Sequence, residues 1–175
     1  MKIEIAYGNI VKQPDAEAIV NSANANLRFG SGVAGAIHTA AGPELEIYCQ
    51  PLAPIGLGDA VLTPGFLLPN KWVIHVRSAH YLNDDEPEQK MRRAIESMLK
   101  VVGENRIRSV AMPAIGTGVF KFPIELAAQI TAQALAKAST LAPQLEWLRL
   151  CVADPALVGR YQSAIDAADT FEGLT

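Results

Sequence analysis

The sequence predicts an α/β sandwich, with helices on both faces of a mostly parallel or mixed sheet, folded as a single domain over residues 1–175. Three observations carry this. Short apolar runs of strand character alternate with helical runs after the first few elements. The most apolar run, "IRSVAMPAI", lies between two helical stretches, as a central strand would. Half of the 175 residues are apolar, enough to build one sizeable core.

The elements follow in order. "MKIEIAYG" alternates, with Ile3 and Ile5 on one face, and reads as the first strand. "AEAIVNSAN" holds a short buried strand centred on Ile19 and Val20. "SGVAGAIHTAAGPELEIYCQ" is helical, with Val33, Ile37 and Ala40/Ala41 on one stripe and a break at Gly42-Pro43. "DAVLTPG" and "WVIHVRS" are strands. "EPEQKMRRAIESMLKVVGEN" is a helix with Pro87 near its start and Met91, Ile95, Met98, Leu99 and Val102 facing inward. After "IRSVAMPAI" come a helix in "FPIELAAQITAQALAKAST", a strand in "LEWLRLCVA" and a closing helix in "PALVGRYQSAIDAADT". In folds of this class ligands sit at the carboxyl ends of the strands.

Charge and composition narrow the functions. Fifteen Lys and Arg against 18 Asp and Glu give a net charge of −3, too mild for a nucleic-acid surface, so any anion must be held locally. Cys49 and Cys151 are far apart, lack metal-ligand spacing and read as buried free thiols. The three histidines lack zinc spacing, and no metal or cofactor is expected. No apolar run approaches a membrane span, and the N-terminus shows no signal-peptide core. A soluble, cytoplasmic monomer is the expectation.

Two glycine loops carry the chemistry. "FGSGVAGAIHTAAG" contains a literal G-x-G-x-x-G at Gly30, Gly32 and Gly35. Three features argue against a nicotinamide dinucleotide fingerprint. "NSANANLRF" separates the loop from its strand, no carboxylate lies about 20 residues on, and the strand is the second rather than the first. The backbone physics remains. Such a loop brings amides close to a ligand and opens into a helix whose first turn offers free N–H groups and a partial positive charge. "PAIGTGVFKFP", Pro113 to Pro123, repeats the device after the most apolar strand, with Gly116 and Gly118 flanking Thr117 and Phe120 close by. It lacks the G-K-[ST] of a P-loop. Two such loops suggest a clamp on a diphosphate.

With "GNI" (Gly8–Ile10), "AIVNSAN" (Ala18–Asn24), "FGSGVAGAIHTAAGPEL", "GDAVLTPG" and "PAIGTGVFKFP" in that order, the chain resembles the macrodomain family, which binds ADP-ribose. The resemblance implies a three-layer α/β/α sandwich with a mixed central sheet. It implies ADP-ribose or an ADP-ribosylated protein as partner, and no cofactor. By the same resemblance Asn24 is the catalytic candidate, bonding the distal ribose. Asn9, Ile10, Ser22, Ala23, Gly30, Ser31, Gly32, Val33, Ala34, Gly35, Ile115, Gly116, Thr117, Gly118, Val119 and Phe120 are the binding candidates, with Phe120 near the distal ribose.

Two departures from the family pattern matter. Many macrodomains carry Asp in "GDI"; here Asn9 offers a neutral acceptor, which predicts adenine affinity weaker by about 1 kcal/mol. The segment from Asn9 to "AIVNSAN" also runs one residue longer than in typical members. MacroD-type hydrolases show "VDGAIH" where this chain has "VAGAIH", so Ala34 occupies the position of an Asp that helps position water. Hydrolysis of mono-ADP-ribosyl-protein or O-acetyl-ADP-ribose is the leading expectation. A non-catalytic reader, or a module for another nucleotide or an RNA end, is the alternative. Among other residues, Asn21 reads as bonding nearby backbone, His38 and His75 as structural and His80 as a minor site candidate. Asp59 is read as a surface residue starting a strand, and "NDDEPE" as a helix start whose carboxylates favour the helix dipole.

Overall fold

The computed structural model describes residues 1–172. Six strands form one sheet in the order β1-β6-β5-β2-β4-β3. These are β1 (Lys2–Tyr7), β2 (Ala18–Ser22), β3 (Ala60–Pro64), β4 (Trp72–Val76), β5 (Ser109–Pro113) and β6 (Trp147–Val152). Every neighbouring pair is parallel except the edge pair β3–β4. The sheet is therefore mixed, and "IRSVAMPAI" supplies one of its two central strands as expected.

Strand side chains alternate between the faces. Ile19, Val73, Ala111 and Cys151 pack under α1 (Gly32–Ala41) and α2 (Pro43–Cys49), against Ile37, Ala41, Leu45 and Cys49. Ala18, Val20, Ile74, Val76, Met112 and Leu150 meet α3 (Pro87–Glu104), α4 (Ile124–Leu135) and α6 (Leu157–Glu172) through Met91, Ile95, Met98, Ile130, Tyr161 and Ile165. This is a three-layer α/β/α sandwich. Gly42 breaks α1 from α2 at φ +86°, where glycine carries no steric penalty.

One helix is shorter than its sequence suggests. α4 stops at Leu135, and α5 (Ala138–Leu141) continues as a separate turn. Lys137, at the break, reaches Glu96 of α3 at 2.7 Å. Asp59 lies just before β3, half-buried, and pairs with Arg93 at 3.1 Å.

The connection from β1 to β2 joins strands that run the same way on either side of β6 and β5. Such crossovers are usually helical. Here residues 8–17 cross the α1/α2 face without a helix. Their backbone polar groups must then find partners in local turns, side chains or water. Asn70, 3% exposed, donates through Nδ2 to the carbonyls of Gln13 and Ala16, at 2.7 and 2.8 Å.

Candidate functional site

The carboxyl ends of β1, β6, β5 and β2 lie side by side, because these strands are mutually parallel. A cleft runs over them in two chambers. The larger, about 1050 Å³, is lined by Tyr7, Gly8, Asn9 and Ile10 and also by Lys121, Phe122, Asp154 and Leu157. The smaller, about 440 Å³, is lined by Ser22, Asn24, Gly30, Ser31, Ala34, Val119 and Phe120. Gly32, Val33, Pro113, Ala114, Thr117, Gly118 and Ala153 line both. The chambers therefore meet where the two glycine loops face each other.

The loops have the local geometry that close approach demands. Gly32, Gly116 and Gly118 have φ of +59°, +88° and +67°, a region that side-chain-bearing residues rarely adopt. Ser31 precedes α1 without bonding the helix through its hydroxyl, so the first-turn amides remain free for a ligand. Gly35 N–H donates to Ser31 O at 3.4 Å, and Gly35 packs directly on the Gly30 carbonyl. Thr117 Oγ1 donates to Ala114 O at 2.8 Å, which closes the second loop on itself.

Of the residues singled out in the sequence, Asn9, Ile10, Ser22, Asn24, Gly30, Ser31, Gly32, Val33, Ala34, Thr117, Gly118, Val119 and Phe120 line the cleft. Ala23, Gly35, Ile115 and Gly116 do not line either chamber; Ala23 and Ile115 are buried behind the wall. Asn24 is tied at both ends of its carboxamide. Its Nδ2 donates to Arg28 O at 2.8 Å, and its Oδ1 accepts from Arg28 N at 3.1 Å. Each group keeps one further hydrogen-bonding valence for a ligand. Asn9 folds back similarly, with Oδ1 accepting from Val11 N at 3.1 Å.

Asn21 differs from its reading as a backbone partner. Its Nδ2 donates to His75 Nδ1 at 3.0 Å, and His75 Nε2 sits 2.9 Å from Thr63 Oγ1. With Nδ1 accepting, His75 is the Nε2–H tautomer and donates to the threonine. This row ties β2, which delivers Asn24, to β4 and β3. Burial beside His38 pushes His75 down to about 3, and burial also lowers His38. Both depressions place acid sensitivity in the fold. The unfolded imidazole takes its proton near pH 6.5 and the folded one resists, so stability is full above that value and falls on acidification. We expect the urea midpoint to drop between pH 7 and pH 5 by the equivalent of about 2 kcal/mol from His75 alone. An unchanged midpoint would contradict this.

His80 lies outside both chambers. Its backbone N–H donates to Asp84 Oδ2 at 2.7 Å and its Nδ1 accepts from Leu82 N–H at 3.2 Å, a local turn. The acidic run thus closes that turn through Asp84, while Glu88 stands in the first turn of α3. Both cysteines are buried and free. Sequence reading missed Tyr7, Lys121, Asp154 and Leu157, which line the larger chamber. No helix among the described residues is long and apolar enough to cross a membrane.

Comparison with known proteins agrees with this geometry. The family model described as "Macro domain" matches residues 20–131. A macro domain-containing protein of Lactiplantibacillus plantarum is 37% identical over 169 residues, which cover 95% of this chain and 98% of that protein. ADP-ribose glycohydrolase MACROD1 of Bos taurus is 42% identical over 136 residues, 77% of this chain and 42% of that longer protein. The solved structure of the Oceanobacillus iheyensis macrodomain with ADP superposes with a TM-score of 0.87 at 30% identity, covering 96% of this chain and 92% of that one. A matched family model, a relative that matches nearly end to end and a shared fold lead to one conclusion: this chain belongs to the macro domain family.

Proposed function

We propose that this chain binds ADP-ribose and hydrolyses adducts at its distal ribose, either mono-ADP-ribosylated protein or O-acetyl-ADP-ribose. The observation that carries the reading is the meeting of two chambers between facing glycine loops. A diphosphate there takes main-chain N–H donors from the first turn of α1 and from the Thr117–Gly118 turn, in charge-assisted bonds. The adenosine occupies the larger chamber beside Asn9 and Ile10. The distal ribose enters the smaller one beside Asn24 and Phe120. Relatives named as ADP-ribose glycohydrolases and a structural neighbour solved with ADP support this.

The reaction asks little of acid catalysis. For a glutamate-linked adduct, water bonds to the anomeric carbon of the distal ribose while the bond to the carboxylate breaks. The carboxylate leaves as an anion with the bonding electron pair. The proton shed by water passes to a phosphate oxygen of the ligand, because no carboxylate or imidazole lies among the residues lining the smaller chamber. Asn24 orients the ribose hydroxyls with its remaining valences.

A second reading, an ADP-ribose reader without turnover, is favoured by the same vacancy and by the engagement of Asn24 with Arg28. The two are separated by incubating the protein with glutamate-linked mono-ADP-ribosylated substrate. Release is expected, and Asn24→Ala should lower it about 100-fold. Release no higher than in Asn24→Ala, with ADP-ribose binding intact, establishes the reader. A thermal-shift panel of ADP-ribose, ATP, NAD and guanine nucleotides covers the remaining alternative, which a preference for guanine would favour.

A further inference from the structure

The two glycine loops that wall the smaller chamber present apolar side chains to solvent. Phe29, Val119 and Leu82 are 57%, 61% and 73% exposed. Phe29 immediately precedes Gly30, and its ring stands 6.3 Å from that of His38, beside α1. Val119 lies in the short turn Gly118–Phe120 and lines the chamber itself. Leu82 is brought to the same loop by its neighbour, because Tyr81 N–H donates to Phe120 O at 2.8 Å. The Tyr81 ring also packs on Phe122, with 5.1 Å between centroids. The turn closed by His80 and Asp84 holds Leu82 outward.

Charged side chains flank this apolar lip. Arg28 is exposed next to Phe29, and Asp85 and Glu86 are exposed shortly after Leu82. Single exposed apolar residues are ordinary, but several at one opening, with charge around them, have the anatomy of a protein-binding patch. Its position decides the partner. With the distal ribose beside Asn24 and Phe120, whatever is joined to that ribose must leave the chamber over these residues. A polypeptide would cover them and withdraw their apolar surface from water. An acetyl group brings no chain that could do so.

We infer that Phe29, Val119 and Leu82 form a docking surface for the polypeptide that carries the ADP-ribose, so that the site takes protein-linked adducts whose modified residue has apolar neighbours. The inference rests on the ADP-ribose reading above. Contacts on the lip are remote from the reacting bond and equal in the ground and transition states. They therefore act on affinity rather than on the chemical step.

Leu82→Ser is the cleanest probe, since Leu82 lines neither chamber and is the most exposed of the three. Phe29→Ser probes the opposite loop. Calorimetry would compare free ADP-ribose with two peptides that carry ADP-ribose through a stable triazole link, so that turnover does not interfere. One peptide has leucine on both sides of the linked residue, and the other has serine. Melting temperatures would be recorded alongside. The wild type should bind the leucine peptide about tenfold more tightly than the serine peptide. Each variant should lower that preference about fivefold, as expected for one partly covered side chain, and leave free ADP-ribose unchanged. Equal affinity of the wild type for the two peptides, an unchanged preference in both variants, or a parallel loss for all three ligands overturns the inference while the ADP-ribose reading stands. A wild type that binds none of the three overturns that reading, and this inference with it.

Discussion

Gly35→Ala is expected to lower ADP-ribose affinity at least about 100-fold in a protein that still folds. A Cβ at position 35 falls far inside contact distance of the Gly30 carbonyl oxygen. That atom belongs to backbone and cannot swing aside as a flexible side chain would. The loop carrying Gly30 and Ser31 must therefore move off the first turn of α1. Amides positioned for one pyrophosphate geometry lose it, and two lost charge-assisted hydrogen bonds at about 1.5 kcal/mol each cost on the order of 100-fold in affinity. Stability should fall by only about 1–3 kcal/mol, the usual cost of overpacking at one site. Gly159→Ala on α6 is the matched control, because a Cβ there meets open space. Circular dichroism would confirm the fold, and calorimetry would report the affinity. Retention of full affinity by Gly35→Ala would show that the first glycine loop does not hold the ligand.

Ala34→Asp should act in the opposite direction and raise kcat about 100-fold with KM little changed. Ala34 sits in the first turn of α1, against the smaller chamber. A carboxylate there is favoured by the helix dipole. It would also give the chamber a protein base, a role worth about 100-fold or more when suitably placed. The rate of the variant should rise with pH through the carboxylate range, while the parent shows no such limb. An unchanged kcat with binding retained would show that the vacant base does not limit the parent reaction.

These two residues stood out in the sequence for different reasons: Gly35 through the G-x-G-x-x-G spacing, and Ala34 because the resembling family carries an Asp there. The strands and long helices were legible for a related reason, since periods of two and of three to four record which face is buried. The end of α4 was not. Its residues through Thr140 are mostly ordinary helix formers, and the break at Ala136 and Lys137 belongs to a region that Lys137 ties to Glu96, 41 positions away in sequence. Half of the cleft was likewise hidden. Tyr7 and Asp154 become neighbours of one chamber only because β1 pairs with β6, joining the two ends of the chain. Asn21 was taken for a backbone partner because nothing local announces His75, 54 positions on.

The bare strand-to-strand passage over residues 8–17 has a practical corollary. A helical connection can be lengthened only in turns, since each added residue rotates everything beyond it by about 100°. A passage without a helix has no such quantum. Single insertions or deletions there would slide the rim of the larger chamber by a few ångströms and leave the two glycine loops untouched. Under the proposed function, nucleobase choice and bond cleavage would then be separately adjustable, which makes this segment the natural place to graft a new base preference.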